Sequence, residues 1–300
     1  MLQKKYCTAD EVPLKPAIND VDPFAAFESV GLDEVNRLAK MQTRVDNKYI
    51  ADFGTVRSFA HSLNSDFAVL EIGGKREFTY RSCYYDDSFR CYFDHHQGRR
   101  QRFKARTRQY VDGGGLTFFE VKLKGARGLT VKHRVESDFV VHPKIDGGHL
   151  QLLEDRYREQ YRKSLEVDLR PSLLVAYKRY TLVALKGGER VTIDHQLRFS
   201  PPQGKSLPIQ LGDGFMIIET KSARGRGVSD KALESLGVKR ESGCSKYCIG
   251  VNLIGGVDKY NAFGRTLALV RRNIVTAPRP EPVRAFAAAN SHLHTARLCS

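Results

Sequence analysis

Two neighbouring segments of this chain alternate cations with small or apolar residues, and that alternation constrains the fold more than anything else in the sequence. F-K-A-R-T-R-Q-Y at 103–110 is followed, across D-G-G-G, by L-T-F-F-E-V-K-L-K at 116–124. Residues two apart share a face only in a strand, and a glycine-rich joint of this kind makes a hairpin. Lys104, Arg106 and Arg108 therefore point one way, and Lys122 and Lys124 share a face of the partner strand, with Glu120 beside them. Lys132 and Arg134 repeat the pattern, with Val131 and Val135 opposed. Tyr177 with Arg179, then Arg190, then Glu219 with Lys221 extend it along the chain. A solvated sheet face is the ordinary fate of such alternation. Solvated faces, however, intersperse both signs, because like charges opposite one another are destabilising. An excess of cations on shared faces is relieved by a densely charged anion. On pattern alone, a solvated face and a polyanion groove both stand.

Composition sharpens this. Lys and Arg number 49 against 34 acids, a formal net charge of +15. Such repulsion favours an anionic partner: nucleic acid, an anionic membrane, or phosphorylated small molecules. No RNP, KH or helix-turn-helix pattern stands out, and aromatics do not clearly interleave with the cations, so no specific nucleic-acid partner is expected. No apolar run reaches the roughly 20 residues of a membrane helix, so no membrane insertion is expected. Residues 1–22 contain no apolar signal-peptide core, and the expected compartment is the cytoplasm. The cysteines Cys7, Cys83, Cys91, Cys244, Cys248 and Cys299 contain no C-x-x-C pair, which argues for ordinary thiols. D-G-G-G lacks the G-K-[ST] and following helix of a phosphate-binding P-loop.

The expected organisation is α+β. Residues 1–22 read as a mobile lead-in, 23–256 as one domain, and 257–300 as an extension largely disordered at its end. Phe24, Phe27, Leu32, Val35, Leu38 and Ala39 predict two short helical pieces over Pro23–Met41, parted by Gly31. A helix over Thr55–Asn64 would bury Val56, Phe59, Ala60 and Leu63. Strands are predicted at 78–86, 103–111, 116–124, 173–185, 190–199 and 215–221, the fourth and fifth joined by K-G-G-E. Leu153, Tyr157, Tyr161 and Leu165 form a helical stripe, and Ser229 is expected to cap a short helix. Hairpins with helices inserted between them suit a closed antiparallel barrel of about eight strands with flanking helices.

Phosphate fits these cations better than carboxylate does. Arginine presents a planar fork to two phosphate oxygens, and lysine a compact charge. Transfer between phosphates needs no side-chain nucleophile; positioning and charge neutralisation suffice, with a divalent metal bridging oxygens. Glu219, among cations at the end of an apolar strand, is the metal-ligand candidate, with a salt bridge to Lys221 as the alternative. Asp194 could be a second ligand or a structural residue. Asp86, Asp87, Asp94, His95 and His96 look like a metal cluster by composition. Read on a strand, adjacent residues point to opposite sides, which favours turn and hydrogen-bonding roles.

Taken in order, R-V-D-N-K-Y (44–49), K-x-R-x-R-x-Y (104–110), F-E-V-K-x-K (119–124), K-x-R (132–134), Y-K-R-Y (177–180), E-R-V-T-I-D (189–194), I-E-T-K (218–221) and S-K-Y (245–247) resemble the VTC domain. This is the polyphosphate polymerase domain of the vacuolar transporter chaperone complex, which also occurs as stand-alone bacterial proteins. The resemblance covers roughly 24–255 and implies a triphosphate tunnel of eight antiparallel strands. It implies transfer of the γ-phosphoryl group of ATP to a phosphate or polyphosphate end, with Mn²⁺ or Mg²⁺. Arg106, Arg108, Lys122, Arg179 and Arg190 would act in catalysis, and Glu219 would hold the metal. Lys48, Lys124, Tyr177, Ser245 and Lys246 would contact phosphates, with Lys104, Lys132, Arg134 and Lys221 as lining. The family often has His where Lys124 stands. Triphosphate-cleaving hydrolases of the same fold often carry E-x-E-x-K where this chain has R-V-D-N-K-Y, so acidic ligands are missing. A hydrolase and a non-catalytic polyphosphate or nucleic-acid binder remain the alternatives.

Overall fold

The computed structural model describes residues 22–39, 45–125, 129–204 and 207–275. The lead-in before Asp22, the tail from 276, and Cys7, Met41, Arg44 and Cys299 lie outside them. In chain order the elements begin with β1 (Glu28–Val30), α1 (Leu32–Leu38), β2 (Val45–Ala51), α2 (Phe53–Leu63), β3 (Phe67–Leu70) and β4 (Phe78–Asp86). Next come α3 (Arg90–His96), β5 (Phe103–Tyr110), β6 (Thr117–Lys124), β7 (Thr130–Glu136), α4 (Gly147–Tyr161) and β8 (Arg170–Ala184). The chain continues through β9 (Arg190–Ser200), β10 (Ile209–Leu211), β11 (Met216–Ser222), α5 (Val228–Ser235), α6 (Lys246–Leu253), α7 (Gly264–Arg271) and β12 (Ile274–Val275).

Both glycine-joined hairpins form where the sequence places them. Gly114 and Gly115 turn β5 into β6 at φ +72° and +75°, a region open to glycine without strain. An antiparallel path then runs β2·β11·β9·β8·β4·β5·β6·β7. Two irregularities curl it: register shifts at Tyr84/Tyr85 and at Ala176/Lys178, with Gln196 on β9 at φ +50°. Bulges of this kind bend and twist a sheet. The expected closure is not shown: among the described residues β7 and β2 form no ladder, and the sheet is a half-barrel. Side chains nevertheless face one another over the concavity, since Lys122 of β6 feels the charges of Glu219 and Lys221 on β11.

The convex face carries the core. Phe103, Ala105, Phe119, Val121 and Leu123 are buried with Leu153 and Tyr157 of α4, the Phe103 and Tyr157 rings 6.2 Å apart. On the other half, α2 sends Val56, Phe59, Ala60 and Leu63 against Val191, Ile193 and Ile218, as its stripe predicts. Each of these Val, Leu, Ile and Phe side chains contributes roughly 1.5–3 kcal/mol by leaving water. With apolar residues at alternate positions committed outward, the cations between them must face the concavity.

Local readings differ in four places. The segment before Gly31 is a turn and then β1, not a helix, because Ser29 and Val30 pair in parallel with β3. Phe24 and Phe27 are buried from that turn, with Phe24 against Tyr180, so their spacing reflects a fold-back. Gly227, not Ser229, precedes α5; Ser229 donates instead to Glu189, whose carboxylate also accepts the Val228 amide at 2.6 Å. Asp94, His95 and His96 lie on α3 rather than a strand. Leu165 is buried beyond the end of α4.

Candidate functional site

Cross-strand register assembles the interior. Arg106 lies opposite Glu120 and Tyr84, and Arg108 opposite Ser82 and Phe118. Lys104 meets Lys122, which meets Lys132 on the next strand. Arg179 faces Asp194, and Glu219 stands between Lys48 and Thr192. Lys221 is opposite Arg190 and Asp46. The sheet thus gathers on one concave face Lys48, Lys104, Arg106, Arg108, Lys122, Lys124, Tyr177, Arg179, Arg190, Glu219 and Lys221.

Besides Asp46, three carboxylates lie among these cations, and each is gripped by two positive side chains. Glu120, with no solvent exposure, accepts from Arg106 Nε at 2.8 Å and Nη2 at 2.6 Å, and is ion-paired with Lys132. Asp194, also fully buried, accepts from Arg179 Nε at 2.5 Å and Nη2 at 2.8 Å, and from Lys246. Glu219 lies 2.9 Å from Lys221 Nζ and 3.5 Å from Lys48 Nζ. Burial opposes ionisation of all three. The flanking cations outweigh it and hold each carboxyl well below the usual range. Every one of these triads keeps a net positive charge.

Lys104, Arg108 and Lys122 have no carboxylate partner of this kind among the described residues. Lys104 donates to Ser245 Oγ at 2.9 Å, and Arg108 to Ser82 Oγ at 3.3 Å. Burial, reinforced by Arg106, pushes the Lys122 ammonium well below its ordinary range, with Glu219 opposing. Burial likewise pushes Lys132 down to about 8 against the pull of Glu120. Space here is charged at a cost that an anion would offset.

Aromatic rings make the floor. Tyr80 and Tyr177 stack at 5.3 Å with planes 6° apart. Arg108 sits 5.5 and 5.7 Å from these two rings, Arg179 5.2 and 5.4 Å, and Lys246 4.8 Å from Tyr177. Electron-rich faces stabilise these cations without occupying their hydrogen-bond donors as a carboxylate does. Ser245 caps α6, which places Lys246 in its first turn beside Asp194.

Arg134 departs from the group: it is exposed on β7, its guanidinium 4.6 Å over Phe118. Lys124 is half-buried and shares its electrostatic surroundings with Lys48 and Asp46. Tyr80, Tyr84, Tyr110 and Phe118 share this face and were not anticipated from sequence, although period-two parity with Arg106 and Glu120 would have found Tyr110 and Phe118. The acid–histidine cluster disperses. Asp86 caps α3 by accepting the Cys91 amide at 2.8 Å, Asp94 pairs with Arg99 at 3.1 Å, and His96 meets Asn261 at 2.6 Å. His95 turns toward Lys104, with burial and that ammonium pushing its pKa down to about 2. Among the described residues no group of three His, Cys, Asp or Glu could hold a metal by itself. No helix there is long and apolar enough to cross a membrane.

Distant likenesses exist among solved structures. A protein from Pyrococcus horikoshii OT3 is 15% identical, with 71% of this chain and 99% of that one covered at a TM-score of 0.38. A putative adenylyl cyclase from Hippeastrum, described as having a dominant triphosphatase activity, is 13% identical over 70% of this chain and 96% of its own, TM-score 0.41. The inorganic triphosphatase NE1496 is 13% identical over 65% and 80%, TM-score 0.24. No curated protein matches the chain. The sequence matches the VTC domain over residues 43–254, more than half of its 300 residues. This chain belongs to the VTC domain family.

Proposed function

We propose that this protein is a polyphosphate polymerase, transferring the γ-phosphoryl group of ATP to a phosphate or polyphosphate end along its basic concavity. The observation that carries the reading is the gathering of cations from β2, β5, β6, β8, β9 and β11 on one concave face. Three carboxylates of that face, Glu120, Asp194 and Glu219, are each already engaged by two cations. A terminal phosphate oxygen of the acceptor attacks the γ-phosphorus, and the bond from that phosphorus to the β–γ bridging oxygen breaks to release ADP. The attacking oxygen is already ionised, so no side chain need remove a proton. Arg106, Arg108, Lys122, Arg179 and Arg190 hold and neutralise the transferring group. Lys48, Lys124, Tyr177, Ser245 and Lys246 position the phosphates on either side, with Lys104, Lys132, Arg134 and Lys221 as lining. The proposed tunnel would be completed by the phosphate chain itself, which spans the cations of β6 and β11.

The donor set fits a divalent ion, Mn²⁺ or Mg²⁺, only in company with bound phosphates, since Glu219 supplies one carboxylate and phosphate oxygens and water the rest. When bound, the ion would supply positive charge that offsets the charge of the phosphates.

Purified protein incubated with ATP and Mn²⁺ tests the reading, with products resolved on a gel. Long-chain product, lost in Arg106→Ala and Glu219→Ala, is the expected result. Orthophosphate release from triphosphate with no polymer would make the chain a hydrolase of the same fold. Binding of polyphosphate without any metal-dependent turnover, unchanged in Glu219→Ala, would make it a binder.

A further inference from the structure

The concave face changes character along β5. Lys104, Arg106 and Arg108 give way two residues later to Tyr110, and on β6 Lys122 and Glu120 give way to Phe118. Beyond Arg108 the inward side chains form one aromatic assembly. Tyr80 and Tyr110 meet edge-on at 5.1 Å, Tyr110 and Phe118 at 5.9 Å, and Arg134 covers Phe118 at 4.6 Å. This assembly abuts the cation row, because Arg108 is the cross-strand partner of Phe118 and lies 5.5 Å from Tyr80. Tyr110 and Phe118 are half-buried and Arg134 exposed, so the assembly opens to solvent where core packing would not. Glu136, opposite Phe118 on β7, puts a negative charge in the same row, where another phosphate would be repelled.

We infer that Tyr110, Phe118 and Arg134 form a stacking subsite for the nucleobase of a nucleoside triphosphate whose phosphates lie along the cation row. The inference rests on the phosphoryl-transfer reading and names the part of the donor that this reading leaves unplaced. One step from Arg108 to Tyr110 spans roughly 7 Å of strand, comparable to the ribose that separates phosphate from base. Aromatic faces stack on any base, and an arginine plane can take the other side of it. The subsite therefore favours nucleotides over inorganic triphosphate, and purines over pyrimidines by stacking area, without reading the base edge.

The chain contains no tryptophan, so 2-aminopurine riboside triphosphate, whose fluorescence is quenched by stacking, can be read without protein background. The probe should be quenched on binding wild type and displaced by ATP. Phe118→Leu, checked for folding by circular dichroism, should relieve the quench and weaken ATP roughly 5- to 100-fold, leaving inorganic triphosphate within about twofold. Arg134→Ala, at an exposed position and checked for folding in the same way, should relieve part of the quench. Binding of the probe without quenching overturns the subsite. So does an equal loss for ATP and inorganic triphosphate in Phe118→Leu. Failure of inorganic triphosphate to bind wild type at all would instead overturn the phosphoryl-transfer reading, and the subsite with it.

Discussion

Replacing Glu120 by glutamine tests whether the interior carboxylates serve as counter-charges for a cavity built for anions. Glu120 has no solvent exposure and holds Arg106 through two short bonds, at 2.6 and 2.8 Å, as well as Lys132. The amide keeps the shape and removes the charge, leaving a buried guanidinium beside Lys122 and Arg108 with no compensation. Breaking a buried pair in this way costs about 3–5 kcal/mol. For a domain of this size that corresponds to a fall in Tm of roughly 6–10 °C. An anion in the cavity should restore the missing charge. Inorganic triphosphate at about 100 times its Kd adds about 2.7 kcal/mol to any form that binds it. At one and the same triphosphate concentration the variant should gain more than wild type, because its cations have lost their internal partner and bind the anion more tightly. Differential scanning fluorimetry with and without triphosphate reads both effects. The pH sign is fixed as well. The Glu120 carboxyl is held far below the ordinary value of about 4.3, so its contribution is complete above that pH and fades as pH falls. The gap between wild type and variant should therefore close in acid. An unchanged Tm, or equal stabilisation of both proteins by triphosphate, would refute the counter-charge argument.

Lys122→Met should act in the opposite direction. Removal of a desolvated cation lacking a carboxylate partner should raise Tm by a few degrees, while triphosphate affinity falls roughly 10- to 100-fold by loss of charge-assisted bonds, measured by calorimetry. Tyr80→Leu removes one of two rings shared by Arg108 and Arg179 and should weaken triphosphate binding roughly 2- to 30-fold, whereas Tyr80→Phe should not; equal losses would mean the hydroxyl matters and the ring face does not. Outside the site, Glu77 has its pKa lowered to about 2: burial opposes ionisation, but His195 and Lys178 outweigh it. Its stabilising effect is present above the ordinary carboxylate pKa of about 4.3 and is lost as pH falls toward about 2, so denaturation curves of wild type and Glu77→Gln should converge over that window.

Much of this arrangement is written locally. Period-two alternation in β5 and β6 sets which residues share a face, D-G-G-G and K-G-G-E set the hairpins, and the stripe of α2 sets its buried side. Those signals depend only on near neighbours in the chain, so they survive in the sequence alone. The turn at Phe24 and Phe27 misled because an i, i+3 spacing also suits a fold-back, and only pairing of β1 with β3, some 40 residues away, decides between them.

What the sequence by itself determined was sidedness: which residues point together, and that too many of them are positive. Whether that side would be a wet outer surface or a shared hollow was decided by tertiary structure. Bulges at Tyr84/Tyr85 and Ala176/Lys178 bend the sheet, and β11 inserts between its near neighbour β9 and the distant β2. The same long-range pairing chose which acid neutralises which cation, as with Glu219 of β11 between Lys221 and Lys48 of β2. Charge acts through space, and the distances that set its strength exist only after the chain has folded.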